Sequence, residues 1–187
     1  MTRDGDTTGP DGEASDVERR ATVATIRLRG FAPGDGVQLA DVFFRSVREA
    51  ALADYSPAQL RAWAPVAPDP AWIEARAADG RFLVVAVNAD EEIVGYADLE
   101  ADGHVDHTYC RPDVVGRGVG ARLYDRLEEH ARSAGIERLF VEASEPARRL
   151  FARKGFAVLR RQDLVVRGVA IHNYVMEKHL RPEPPAA

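Results

Sequence analysis

A mixed α/β (α+β) fold is predicted, with a central sheet of about seven strands flanked by about four to five helices. Three observations in the 187-residue chain predict it. Strand-like and helix-like runs alternate in the order β-α-α-β-β-β-α-β-α-β-β. Short polar links between consecutive strand runs make most pairings antiparallel. A glycine-rich stretch, Cys110–Ala121, sits between a strand run and a helix run, which calls for one parallel βαβ unit.

The elements follow in order. Val23–Arg29 alternates, with Ile26 and Leu28 on one face and Arg27 and Arg29 on the other, as a strand does. After the break at Gly34-Asp35-Gly36, Val37–Asp54 carries apolar Leu39, Val42, Phe43, Val47 and Ala50 at helical spacing. Ser56-Pro57-Ala58-Gln59 reads as a capping box with proline at the first helical position, opening a short helix through Trp63. Asp69-Pro70 repeats the start signal for Ala71–Ala78, and Gly80 ends that helix. Arg81–Val87 and Ile93–Leu99 read as a hairpin across Asn88–Glu92, and Ala101-Asp102-Gly103 turns into a third strand, His104–Cys110. A helix over Leu123–Arg132 closes at Gly135. Arg138–Ala143 is a strand, and a helix beginning at Ser144 or Glu145 ends at Gly155. Phe156–Val165 and Val169–Lys178 are the last strands.

Residues 1–21 lack apolar periodicity and read as a disordered leader; 22–181 reads as one globular domain, and 182–187 as a flexible tail. Residues 1–20 hold six acids and three arginines, and Glu183 lies in the tail, so the domain itself is nearly neutral. That charge gives no basic surface for nucleic acid. No apolar run approaches the ~18 residues of a membrane span, and the leader is no signal peptide. One cysteine, Cys110, excludes an internal disulfide and a thiolate metal cluster. These features predict a cytoplasmic protein without metal.

Glycines at 116, 118 and 120 strip Cβ atoms from a turn that leads into a helix. The N–H groups of a helix start lack intrahelical partners and favour an anion, so the stretch predicts a diphosphate site. Gly116-x-Gly118-x-x-Ala121 fits a dinucleotide fingerprint, with Glu142 further on as a ribose partner. Against it, Arg111–Val115 separates the strand from the glycines, and the preceding strands form hairpins.

A second reading rests on resemblance. Cys110-Arg-Pro112, then Val115-Gly-Arg-Gly118-Val-Gly120, then Ser144-x-x-Ala147-x-x-Leu150-Phe151 and Gly155-Phe156, resemble in order the motifs of the GNAT superfamily of N-acetyltransferases. The likeness covers residues ~24–181, and Val141-Glu-Ala-Ser144 resembles a bacterial subgroup. It implies the GNAT fold over 22–181, with acetyl-CoA as acyl donor, a ternary complex and direct transfer to a small-molecule or peptide amine. It implies that the strands at 104–110 and 138–143 splay apart and that pantetheine pairs with the backbone of Thr108, Tyr109 and Cys110. The diphosphate then falls on Val115, Gly116, Arg117, Gly118, Val119, Gly120 and Ala121, with Arg122 adding charge. Ser144 and Phe151 take the positions of a cofactor-contacting asparagine and of the tyrosine that protonates the leaving thiolate. Phenylalanine cannot do that, so a catalytically degenerate module that binds coenzyme A or a partner is the alternative. Family habit also admits a homodimer.

An amine with a pKa near ~10 needs help in losing a proton. Strand alternation sets His104 and Asp106 on one face, and resemblance puts a base at either position. Glu142 is a second base candidate, and Tyr174 a replacement acid. His107 and Tyr124 read as packing residues, and Cys110 as a packed free thiol. Glu49, Asp54, Tyr55, Trp63 and Trp72, with His172 and Asn173, are candidates for the acceptor pocket, while Phe43 and Phe44 are more often core.

Overall fold

The computed structural model describes residues 26–180; the leader 1–21 and tail 182–187 predicted above lie outside the described residues. Strand β1 (Arg27–Gly30) leads to helix α1 (Gly36–Arg45), which runs into a wider π-helical turn at Ser46–Ala50. Helices α2 (Pro57–Trp63) and α3 (Pro70–Ala77) follow, then β2 (Phe82–Val87), β3 (Ile93–Leu99) and β4 (Thr108–Cys110). A short 3-10 turn at Pro112–Val114 precedes α4 (Val119–Ser133). The chain ends in β5 (Arg138–Ala143), α5 (Glu145–Arg153), β6 (Ala157–Val166) and β7 (Val169–His179).

Local chemistry explains the starts. Ser56 Oγ accepts from the Gln59 N–H, the Gln59 side chain accepts from the Ser56 N–H, and Pro57 occupies the first helical position. Asp69 Oδ1 accepts from the Ala71 N–H at 2.9 Å. Helix α4 buries Val119, Leu123, Tyr124, Leu127 and Ala131 against β2 and β3. Burying each large side chain of that stripe contributes about 1.5–3 kcal/mol. At the β6–β7 hairpin, Arg167 (φ 49°) and Gly168 (φ 78°) both have positive φ, as a two-residue turn between twisted strands requires.

The sheet is split. One part has the order β1-β2-β3-β4 and the other β5-β7-β6, each antiparallel throughout. Among the described residues the two are joined by a parallel bridge between His104 and Phe140, where the Val105 N–H donates to Phe140 O (2.9 Å) and the Phe140 N–H to Gly103 O (3.0 Å). Gly103 is required there: its φ is +94°, and a Cβ would lie 2.0 Å from Arg138 O.

The strand expected over His104–Cys110 is therefore shorter. Asp102 Oδ1 takes the His104 N–H and Asp98 Oδ1 takes the His107 N–H, both at 3.0 Å, which removes donors from a regular ladder. The helix expected over Val37–Asp54 likewise stops at Arg45 and widens into the π-helical turn.

An ionic cluster fastens α3 to the β3–β4 region. Arg81, its side chain 5% exposed, reaches Asp79, Asp98 and Glu100. Arg76 bridges Asp98 at 3.2 Å and Asp106. Three apolar clusters surround the split sheet: one under α4 and α5, one under α1 and α3, and one joining the Ser46–Ala50 turn and α2 to Ile171 of β7.

Candidate active site

Where β4 leaves β5, a cavity of about 350 Å³ opens. Backbone parity decides what faces it. The Asp98 N–H donates to His107 O and the Arg111 N–H to Val94 O, so Tyr96 and Tyr109 form the bonded pair between them. The N–H and C=O groups of Thr108 and Cys110 consequently point away from β3, into the gap. This is an open strand edge of the kind that accepts an extended ligand.

The second wall is the glycine loop. Gly116 (φ +78°) and Gly118 (φ +84°) adopt left-handed backbone, and a Cβ on either would meet no atom within 4 Å. Their missing side chains leave room in front of the α4 start, where Gly118 caps the helix without any side chain of its own. The first bond of that helix is Arg122 N–H to Gly118 O, so the N–H groups of Val119, Gly120 and Ala121 precede the intrahelical ladder. A diphosphate fits such a start, which offers several donors and the positive end of a dipole.

The third wall is α5. Ser144 Oγ accepts from the Ala147 N–H at 3.4 Å, and Ser144, Pro146, Ala147, Leu150 and Arg153 face the cavity. The Ser46–Ala50 turn, Ala51 and Trp63 form the remaining side. Of these lining residues, Ser46, Ala51, Pro146 and Arg153 were not singled out from the sequence. Arg153 had a signal, since it continues the three-residue spacing 144, 147, 150.

Of the cofactor-site candidates, Thr108, Tyr109, Cys110, Val115, Gly116, Gly118, Gly120, Ala121 and Ser144 line this cavity. The side chain of Val119 is buried under α4 instead, and Arg117 is not among the lining residues. Phe151 lies elsewhere. It is 1% exposed and packs edge-to-face on Tyr124 and Phe156, so its ring belongs to the core and Leu150 takes the lining place. Cys110 is a half-buried thiol whose pKa desolvation pushes up to about 12, which leaves it protonated.

None of the four catalytic candidates lines the cavity. Asp106 is tied to Arg76. Burial raises its pKa, but the Arg76 hydrogen bond and the charges of His107, Arg76 and His104 outweigh this and hold it below the usual value. A carboxylate so stabilised is a poor base. His104 stacks on Phe140, and its Nε2 lies 2.7 Å from Glu142 Oε2, joining the chain before β4 to β5 beside their bridge. Tyr174 stands beside Glu145, whose hydrogen bond, with burial and the Glu145 charge, raises the phenol pKa; Arg148 covers its ring. Such a phenol is less ready to donate a proton.

The acceptor-pocket candidates divide similarly. Trp63 lines the cavity. Tyr55 is buried beside it, its hydroxyl donating to His172 O (3.0 Å) and accepting from the Glu145 N–H (2.9 Å). Asp54 pairs with Arg149, Glu49 with Arg45, and Asn173 with Gln162. Trp72 lies under Arg76 on α3, away from the cavity. Phe43 and Phe44 pack against the apolar clusters. His107 is buried against Tyr96 Oη, and burial lowers its pKa to about 4, so it stays neutral. Among the described residues no group of three His, Cys, Asp or Glu side chains converges to hold a metal ion, and no helix is long and apolar enough to cross a membrane.

Comparison with known proteins gives a consistent family. Residues 51–178 match the family model described as an acetyltransferase (GNAT) domain. The uncharacterized N-acetyltransferase YafP of Escherichia coli (strain K12) is 31% identical over 151 residues, covering 81% of this chain and 94% of that protein. A GCN5-related N-acetyltransferase structure from Rhodopseudomonas palustris superposes with TM-score 0.75 at 36% identity, over 83% of this chain and 96% of that one. A GNAT superfamily phosphinothricin acetyltransferase from Sinorhizobium meliloti, solved in complex with acetyl-CoA, gives TM-score 0.67 at 20% identity, over 86% and 95%.

Proposed function

The chain belongs to the GNAT acetyltransferases, and from that premise we propose that it transfers an acetyl group from acetyl-CoA directly to a small primary amine in a ternary complex. The observation that carries this reading is the conjunction, around one cavity, of a free β4 edge and a side-chain-free helix start. Acetyl-CoA brings an acyl group already activated as a thioester. The rest is the work of this chain.

The N–H groups of Val119, Gly120 and Ala121, behind the side-chain-free turn at Gly116 and Gly118, hold the diphosphate, and the Thr108 and Cys110 backbone edge pairs with the pantetheine amides. Val105 and Phe140, bonded to each other, close the cleft beyond Thr108. The acceptor enters beside the Ser46–Ala50 turn and Trp63, whose small and apolar surfaces suit a compact amine better than a peptide chain.

For proton removal, the His104–Glu142 pair just past the closed end of the cleft is the remaining candidate, acting through an intervening water because neither side chain lines the cavity. Asp106 serves Arg76 instead.

Steady-state turnover tests the proposal. Free thiol released from acetyl-CoA is expected to rise at least about tenfold over the acceptor-free rate with one member of a panel of amino acids, phosphinothricin, polyamines and short peptides, and His104→Ala is expected to lower that rate by about 10²–10⁴. No acceptor-dependent release across the panel, with acetyl-CoA bound, overturns the enzyme reading in favour of a binding module.

A further inference from the structure

Among the described residues, Thr108 Oγ1 is the one buried side-chain polar atom, in a residue not itself exposed, that has no hydrogen-bond partner. Hydroxyls taken out of water are normally bonded, so an orphan calls for a reason. Its position supplies one. Thr108 is the first residue of β4 and, of the three β4 residues that line the cavity, the one furthest along the strand from the glycine loop. Three residues earlier the cleft is shut by the Val105–Phe140 bond. The glycine loop lies past the other end of β4, so a ligand anchored there and running along the strand reaches Thr108 with its far end.

No neighbour competes for that end. Cys110, two residues on and on the same face, turns its sulfur toward Gly95 and Gly120 within the packed interior. Ser144 Oγ caps the Ala147 N–H. Phe151 has no hydroxyl and lies in the core. A single rotamer step about the Cα–Cβ bond carries Oγ1 to the position that Cγ2 holds without moving the backbone. A hydroxyl both donates and accepts, which suits a thioester, a thiol or a thiolate.

We propose that the Thr108 side chain reads the sulfur-bearing end of the pantetheine arm, a role separate from the pairing of its backbone. The proposal rests on the coenzyme A reading above. It makes Thr108 a specificity-determining residue that holds the end at which the thiol leaves, in a chain whose Phe151 carries no proton to offer.

Calorimetric titration separates the possibilities without any acceptor. Wild type, Thr108→Val and Thr108→Ser are titrated with coenzyme A, acetyl-CoA and desulfo-coenzyme A, which lacks the sulfur. The isosteric Thr108→Val variant is expected to bind coenzyme A and acetyl-CoA about five- to tenfold more weakly while its affinity for desulfo-coenzyme A is unchanged. Thr108→Ser, which keeps the hydroxyl, is expected to bind like wild type. Equal affinities in wild type and Thr108→Val overturn the proposal, and so does an equal loss for all three ligands, which would mark a packing role. Wild-type protein that binds none of them sinks the coenzyme A reading itself, and the Thr108 role with it.

Discussion

Gly118→Glu is expected to lower coenzyme A affinity by about a hundredfold or more in calorimetric titration, with the far-ultraviolet circular dichroism of the fold retained. Two causes add. Position 118 has φ +84°, where a residue with a Cβ costs about 1–2 kcal/mol. A carboxylate on that Cβ stands in front of the α4 start, and like charges about 4 Å apart repel by about 4 kcal/mol at the effective dielectric of a protein surface. In the free protein a Cβ at Gly118 meets nothing within 4 Å, so the damage falls on binding more than on packing. Gly118→Ala separates the causes, since it keeps the backbone strain and omits the charge. Unchanged affinity in the glutamate variant would remove the diphosphate from this loop.

Asp98→Ala is expected to be the most destabilising change away from the cavity. Asp98 is 1% exposed and accepts from Arg76, Arg81 and the His107 N–H. Its removal leaves the buried Arg81 guanidinium short of a partner and one backbone donor unbonded. Breaking a buried pair from one side costs about 3–5 kcal/mol, which for a domain of this size lowers the melting temperature by about 6–20 °C. The segment released is the one that leads into Thr108, so coenzyme A affinity is expected to fall as well. Arg27→Ala is the contrasting control. Its Glu91 pair is exposed on both sides, and its loss is expected to cost less than about 1 kcal/mol. A melting temperature for Asp98→Ala within a degree or two of wild type would show that the ionic cluster does not fasten α3 to the sheet.

The parts of this architecture written in short-range chemistry were legible from sequence. The Ser56 capping box, the Asp69-Pro70 helix start and the glycines before α4 each act within a few residues, and each has the expected geometry. What was not legible depended on partners far along the chain. His104–Cys110 alternates well enough for a strand, but Asp98 and Asp102 capture its early N–H groups. Asp106 looks like a base by position on its strand, yet its partner Arg76 lies thirty residues earlier on a helix. Phe151 occupies the motif position of a pocket residue, but the aromatic partners Tyr124 and Phe156 draw it into the core. The orphan hydroxyl of Thr108 had no signature at all, because a missing bond is a property of the packed structure.

A crystal structure of the protein grown with acetyl-CoA tests the central claim most directly. The diphosphate is expected against the N–H groups of Val119–Ala121, with the pantetheine amides bonded to the backbone of Thr108 and Cys110. The thioester is expected beside Thr108 at the closed end of the cleft. Acetyl-CoA bound elsewhere, or a β4 edge left unpaired while the ligand occupies the cavity, would contradict it.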